Sequence, residues 1–531
     1  MAGYEGFTRT TIDPSLDMTT DGFESRQGQY RYYWHLYSNT IFDDVLKWYR
    51  YKQANRLYRN ARSIYNPVKR LVDVYAGSIY GGVITEDGLP LPDGTPSAIP
   101  LDPSTDDVLR LAMTQVWKWS NFQAGKSLYA RFGACLGDVL MEVIDDLDRE
   151  KVWLQIWWPG FVTDLELDPQ GNVKAYTLEY EVKAPAGQTG GKGTYKYRKE
   201  VDQEKISYYK DDSPFDYGQG TEHANPYGFA PAVWVNHQFL GAAHGANVWE
   251  GSQNKLEEVN GLVSRIHDQI HKSVASPRIF WTNSRITSLL NQPKRTPGEF
   301  DEVSAPDADR ESVMLLKGPQ DGRSDSLLGE LDIGSSFQYI ESLMHEIEAD
   351  HPELNMWREL RTMQQVTGPG AVRLSGDTVP RIYEAAANYD RGLLAATQMA
   401  ISIAGQRIAD GDWGKRATKN PSDDSVQNGL SLHQERFKQF DLTSWDEGKL
   451  ETTILPRQIL PTTIDEKLVQ AQTKLALGVD SETILEEIGY DRAAITKITK
   501  NKKKAADEAA QRQADMFSSG QSTGGAFGAE E

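Results

Sequence analysis

The chain holds a single cysteine, Cys135, in 531 residues, which excludes a disulfide framework and a zinc site built from several thiolates. Long hydrophobic runs are missing as well. No apolar stretch approaches the ~18 residues of a membrane-spanning helix, so no membrane partner is expected. Positive charge is in deficit: Lys plus Arg total 57 against 76 for Asp plus Glu, a formal charge of −19. That balance argues against gripping DNA by broad neutralisation of its phosphates. It suits a surface past which DNA slides, because an acidic wall repels phosphates. The stretch Met1 to Phe7 is polar and has no signal-peptide core, giving the expectation of a soluble protein made inside the cell. A chain of this length is expected to divide into two to four domains.

Residues 251–405 organise the rest. Leu256, Val259, Leu262, Val263, Ile266, Ile270 and Val274 recur at three- and four-residue steps and put one apolar stripe on a helix, with Lys255, Glu257, Glu258, Arg265, Asp268 and Lys272 on its other faces. A return helix repeats the pattern with Phe337, Ile340, Leu343, Met344 and Ile347. Between them lies a turn-rich insert with two short strand candidates, 278–282 and 312–316. His351-Pro352 then breaks the period, since the residue before proline is pushed out of the α region. A loop ending Gly368-Pro-Gly-Ala-Val-Arg-Leu-Ser-Gly376 leads into a long Ala-rich helix, about 379–408. Neither of the paired helices has enough apolar face for a domain core. Their stripes are expected to need partners, and neighbouring copies of the chain are the simplest source.

On either side the pattern is mixed. Residues 1–29 have no period and read as extended or disordered. From Tyr30 to Arg62 aromatics, among them Tyr32, Tyr33 and Trp34, interleave with basic residues. Such interleaving suits a single-strand stacking platform, but in so acidic a chain packing helices are the plainer expectation. Asn66 and Pro67 read as N-cap and first position of a helix buried through Val68, Leu71, Val72, Tyr75 and Ile79, stopping at Gly81-Gly82. A Pro/Asp/Gly linker follows, then helices near 106–119 and 123–134. From Gly137 the period switches to that of strands: 138–144, 152–157, 161–167, 173–182, 195–197, 205–209 and a last strand ending at Asn236. The turn Asp168-Pro-Gln-Gly-Asn172 marks a hairpin. This antiparallel region between helices makes the fold class α+β. Residues 413–445 read as irregular. A capping box at Thr463-Ile-Asp-Glu466 opens a helix to about 476, and Ser481 caps a short one through Ile488. Lys497, Lys500, Lys502, Lys503 and Lys504 form a basic run before a tail, 505–531, expected to be disordered.

Three motifs suggest chemistry. Ser120 to Ser127 ends in Gly125-Lys126-Ser127 like a phosphate-binding loop, but Ser120 replaces its first glycine and no strand leads in. His267 and His271 stand at i and i+4 on a helix, as in zinc hydrolases, with Asp268 where glutamate is expected and no third ligand near. Gly368, Gly370 and Gly376 give a loop conformational freedom without a dinucleotide fingerprint. No Ser/His/Asp set or paired carboxylates stand out. Catalysis by a metal- or nucleotide-dependent enzyme on the His267/His271 helix or the Gly125-Lys126-Ser127 segment is therefore the alternative, and a non-enzyme without cofactor or metal the first expectation.

The order of these pieces resembles the portal proteins of tailed bacteriophages, of the siphophage-like kind. Asn66-Pro-Val-Lys-Arg-Leu-Val-Asp-Val-Tyr-Ala-Gly-Ser-Ile-Tyr-Gly-Gly looks like the family's early helix, and Ala134-Cys-Leu-Gly-Asp-Val-Leu-Met-Glu-Val like its helix-to-strand entry. Asn225-Pro-Tyr-Gly-Phe-Ala-Pro-Ala-Val-Trp-Val-Asn looks like the close of its β region. Residues 256–277 look like the first stem helix, and 468–489 like the crown's helical pair. The resemblance covers most of 60–490. It implies a flexible arm (1–29), a wing (30–250), stem helices (251–276 and 335–351), a clip (277–334), a tunnel loop (352–378), a return to the wing (379–459), a crown (460–515) and a disordered tail (516–531). By resemblance the chain would form a ring of twelve around an axial channel at one capsid vertex, a virion component assembled in the host cytoplasm. The ring would serve genome packaging and ejection. Double-stranded DNA would pass through it; the terminase large subunit and then a head–tail adaptor protein would dock on the clip, and major capsid and scaffolding proteins would surround it. Arg358, Arg361, Arg373, Lys255 and Lys272 are the candidates to face channel DNA, although intersubunit ion pairing is the plainer role for each. Gly368, Gly370 and Gly376 would supply loop flexibility, and Lys294, Arg295, Arg310 and Lys317 are candidate docking residues on the clip.

Overall fold

A computed structural model of the chain describes residues 26–39, 65–89, 97–183, 194–216, 220–274, 278–282, 314–317, 324–326, 333–355, 376–414, 426–427, 430–446, 448–457, 459, 471–488, 495–504 and 511. Helix α1 spans Arg26–Ser38 and begins inside the stretch expected to be extended or disordered. Local contacts explain the earlier start: the Arg26 guanidinium donates to Gln29 and lies 5.0 Å from the Tyr30 ring centre. Helix α2, Val68–Ile79, starts where Asn66 accepts a bond from the Val68 amide at 3.2 Å. Its expected stripe, Val68, Leu71, Val72, Tyr75 and Ile79, is buried throughout. In α3, Asp107–Trp119, Asp106 caps the start by accepting from the Leu109 amide. Helix α4, Phe122–Leu136, stops at Gly137 with φ 92°, a left-handed end that glycine adopts without strain.

Strands β1 (Asp138–Asp146), β2 (Lys151–Trp157), β3 (Val162–Leu167), β4 (Val173–Lys183), β5 (Thr194–Val201), β6 (Lys205–Lys210), β7 (Ser213–Pro214), β8 (Glu222–Ala224) and β9 (Ala232–Asn236) follow. They fall on the expected positions, with β7 and β8 added, but they make two sheets. One has the order β2-β1-β9; the other runs β3-β4-β5-β6-β7, with β8 on β6. Strand β9 passes the second sheet to pair antiparallel with β1, setting Leu140 opposite Trp234. Period-two alternation locates a strand and its faces but says nothing of a partner ninety residues away. The β3–β4 turn is as expected: Asp168 accepts from the Gln170 and Asn172 amides, and Gly171 takes φ 86°.

Helix α5 (Gln253–Val274), strands β10 (Arg278–Thr282), β11 (Met314–Lys317) and β12 (Ser324–Ser326) and helix α6 (Ile333–Asp350) come next, then the long α7 (Thr378–Ala409). The two strand candidates of the insert are present and pair in parallel, with β12 antiparallel on the other edge of β10. Short elements β13 (Val426–Gln427), β14 (Leu430–Ser431), α8 (Leu432–Glu435) and α9 (Thr443–Asp446) occupy the stretch read as irregular, and α10 (Ser481–Ile488) matches the expected Ser481 helix. The fold class is α+β, with helices and antiparallel sheet in one unit.

Two compact units emerge. One is drawn from Arg70–Val248 and Pro352–Glu531, the other from Ile12–Lys69 and Trp249–His351. The first unit is thus discontinuous, interrupted by the second. Its core lies where α3, α4 and α7 pack on the β2-β1-β9 sheet, with Trp117, Tyr129, Phe132, Tyr389 and Leu393 buried. Trp117 donates to Thr397 at 3.0 Å within that core. The buried Glu142 carboxylate ties the two sheets, accepting from Lys199 at 2.5 Å, Tyr176 at 2.7 Å and Trp157 at 2.6 Å. Residues 451–457 strap back along 98–102, and Arg457 grips Asp390 through both terminal nitrogens at 2.6 and 2.7 Å. In the second unit α1 groups with α5 and α6, whereas the sequence placed residues 30–250 in one region. Tyr32 donates to Glu257 at 2.5 Å and Tyr33 sets its edge on Trp249, which explains the grouping.

Candidate functional site

The paired helices α5 and α6 carry two of the candidate cations, Lys255 and Lys272. Lys255, near the start of α5, bonds Asp350 at the end of α6 at 2.8 Å and Glu346 at 3.5 Å, so the helices run antiparallel. Their stripes meet each other. Val259 and Ile266 of α5 pack with Ile340, Leu343 and Ile347 of α6, flanked by Leu262, Val263, Met344 and Tyr65. The expectation that these stripes lack a partner within the chain is corrected here: antiparallel return brings the two narrow faces together, and each supplies the other's apolar cover. Phe337 and Tyr339, in the first turns of α6, stay outside that seam at 47% and 51% exposure.

A polar cluster closes one end of the pair. Asp350 accepts from Ser252 at 2.9 Å, and the buried His351 ring lies 2.9 Å from the same hydroxyl. The Lys255 bond holds the Asp350 carboxyl below its ordinary range, and the bond to Asp350 lifts Lys255 in turn. Burial and then Glu257 push the Tyr32 phenol far up, so it stays a proton donor. Asn260 adds a bond from its side-chain amide to the Tyr65 carbonyl at 3.0 Å. Glu257, Glu258, Glu341 and Glu346 face outward, leaving the described part of this pair an acidic surface. Lys255, offered by the sequence as a DNA-facing cation, is engaged by two carboxylates of its own chain.

Other sequence candidates separate. Gly125-Lys126-Ser127 sits inside α4, not in a loop. The Lys126 side chain is buried and donates to the backbone carbonyls of Tyr80, at 3.0 Å, and of Gly82. It therefore satisfies carbonyls just past the end of α2, where a cation also meets the negative end of the helix dipole. Burial and the nearby Arg457 lower its pKa. That arrangement gives a phosphate neither glycine-loop amides nor a free ammonium. His267, Asp268, His271 and Lys272 lie in α5, with side chains outside the described residues. Arg358, Arg361, Arg373, Gly368, Gly370, Lys294, Arg295 and Arg310 fall outside the described residues altogether, as does the side chain of Lys317 at the end of β11. Gly376 is an exposed turn residue just before α7. Tyr30, Tyr32 and Tyr33 are buried, so these aromatics pack in the fold and offer no stacking platform.

Among the described residues no cluster of three or more His, Cys, Asp or Glu could hold a metal ion, and no helix is long and apolar enough to cross a membrane. A groove of about 460 Å³ opens in the first unit between the Asp168–Asn172 turn, β9 and α7. Its charged groups are Asp168, held low in pKa first by the Asn172 side chain, and Arg391, which donates to the Gln170 carbonyl at 2.7 Å. This lining has no nucleophile beside a base. Set against known proteins, the chain matches no family model and no curated protein.

The residues that sequence reading missed are the partnered ones. Glu142 with Lys199, Ser252 with His351, and Asp390 with Arg457 are separated by 57 to 99 positions. The one available hint is a charged residue at an inward strand position, as for Glu142 between Met141 and Val143.

Proposed function

We propose that the chain is the subunit of a tailed-bacteriophage portal, a ring of twelve at one capsid vertex through which double-stranded DNA is packaged and ejected. One observation carries the proposal. The α+β unit is interrupted by an antiparallel helix pair, and a small three-stranded sheet is inserted between the two helices in sequence. Wing, stem, clip, stem and wing follow one another in that order in the family the sequence resembles. The seam between α5 and α6 makes the stem a self-supporting hairpin, and the acidic outer faces suit a channel wall that repels DNA instead of holding it. Phe337 and Tyr339 are apolar area for a neighbouring subunit to cover. The terminase large subunit and then a head–tail adaptor dock on the insert between the stem helices, and the ring needs no cofactor and carries no catalysis of its own.

Native mass spectrometry with negative-stain imaging tests this. Twelve copies of a 59.5 kDa chain give rings of about 714 kDa with a central hole, and the purified rings hydrolyse no ATP. A protein that stays monomeric at high concentration and with capsid and scaffolding partners present overturns the proposal.

A further inference from the structure

The helix over residues 495–504 differs in charge from everything around it. In a chain of net charge −19 it reads Ile-Thr-Lys-Ile-Thr-Lys-Asn-Lys-Lys-Lys, with five lysines and no carboxylate. At 3.6 residues per turn Lys497, Lys500, Lys503 and Lys504 fall within an arc of about 120°, over a rise of roughly 10 Å. All four are exposed, while Ile495, across the helix, is buried at 5%. The helix is therefore anchored by one side and presents the lysines on the other. Among the described residues none of these lysines takes part in an ion pair.

We infer that this lysine face is a phosphate-backbone contact for double-stranded nucleic acid. The composition selects that partner. Protein interfaces are built on Trp, Tyr and Arg and are depleted in Lys, and none of those three anchors occurs in 495–504. A helix lying on a membrane needs a free apolar face with Trp, Phe or Leu; here Ile495 is buried in the protein, which leaves the single exposed Ile498 and no such face among 495–504. Lysines without arginine or amide side chains fit sequence-independent neutralisation, since ammonium groups are point charges that cannot read base edges in a fork. The acidic remainder repels DNA, so binding concentrates on this face. The inference deepens the portal proposal and rests on it only for where the duplex comes from.

The test uses the full-length protein, the assembly state of each sample recorded by native mass spectrometry, and fluorescence anisotropy with a labelled 30-base-pair duplex. Each phosphate contact steepens the dependence of log binding constant on log salt by about 0.9. Four lysines therefore predict about 150-fold weaker binding between about 50 and 200 mM salt. A Lys497→Gln/Lys500→Gln/Lys503→Gln/Lys504→Gln variant loses that salt-dependent component, and the matching set of Lys→Arg changes keeps it. Absence of duplex binding by the unaltered protein, or an unchanged slope in the Gln variant, overturns the inference. Tighter binding to polyglutamate than to the duplex at equal charge also overturns it, pointing to an acidic protein partner. Rings that bind no duplex sink this inference and leave the portal proposal standing; duplex binding by a chain that never forms rings does the reverse.

Discussion

Lys199→Met removes the cation from the buried pair that joins the two sheets of the first unit. Lys199 Nζ lies 2.5 Å from Glu142 Oε1, with the two side chains only 14% and 1% exposed. Methionine keeps most of the apolar stem, so the change is chiefly electrostatic. The carboxylate would retain Tyr176 and Trp157 as donors at 2.7 and 2.6 Å, yet it would sit buried without a countercharge. Breaking such a pair costs about 3–5 kcal/mol; the two retained bonds, each worth about 1.5–3 kcal/mol to a charged acceptor, favour the lower end. Glu142→Gln added to Lys199→Met removes the stranded charge and should return about 2 kcal/mol of the loss. Urea unfolding followed by circular dichroism, with the m-value checked for constancy, measures both. Alkaline pH gives a second readout. Burial alone would lower the Lys199 pKa, but Glu142 holds it above 10.5. Its contribution is therefore complete below pH 10.5 and fades as pH rises through the folded value, a loss the Met variant should not show. A single variant costing under about 1 kcal/mol, or a double variant in which the two costs simply add, would refute the reasoning.

Gly405→Ala should destabilise, although alanine favours a helix interior by about 1 kcal/mol. A Cβ there would stand 2.5 Å from the Phe440 carbonyl carbon and 3.0 Å from the Phe437 oxygen, and overpacking against backbone costs about 1–3 kcal/mol; a raised melting temperature would contradict this. His237 is buried against Tyr389 and Tyr75, and burial lowers its pKa from 6.5 to about 3. The folded ring stays neutral while the unfolded one takes a proton, so stability should fall by up to about 1.4 kcal/mol per pH unit from 6.5 towards 3. Denaturant titrations across that range should show this component missing in His237→Gln, and identical slopes would exclude it. If the chain forms the proposed ring, Phe337→Glu with Tyr339→Gln should leave the α5–α6 pair folded, because neither side chain lies in its apolar seam and glutamine can still donate to Glu258 as the Tyr339 hydroxyl does at 3.5 Å, but should lower the mass of the assembly seen in native mass spectrometry. Unaltered rings would remove these residues from any subunit contact.

Much of the fold was legible because it is written in local signals. Asn66-Pro67 set the start of α2 and Asp106 that of α3, while Asp168-Pro-Gln-Gly-Asn172 formed the turn it spelled. The stripes of α5 and α6 were read correctly as stripes. Their partnership was not, because a stripe's periodicity records that a face is covered without recording by what. The same gap explains the sheets. Strands β1 and β9 fall where strands were expected, yet only the long return that sets Leu140 opposite Trp234 shows that they share a sheet.

Charged residues resist sequence reading for a related reason, and the lysines show it in three ways. Lys126 looked like a phosphate ligand, but its helix turns it inward onto the carbonyls of Tyr80 and Gly82. Lys255 looked like a channel cation, but the chain's own return brings Asp350 and Glu346 to it. Lysines 497 to 504 carry no motif at all, yet they keep their charge facing outward. What an ammonium can bind depends on which acceptors the fold has already given it, and those acceptors come from far along the chain. A carboxylate within reach can capture a cation before a ligand does, as Asp350 and Glu346 do with Lys255. A lysine face with no carboxylate among the described residues of its helix, 495–504, is therefore a better guide to a polyanion than any glycine-lysine-serine match.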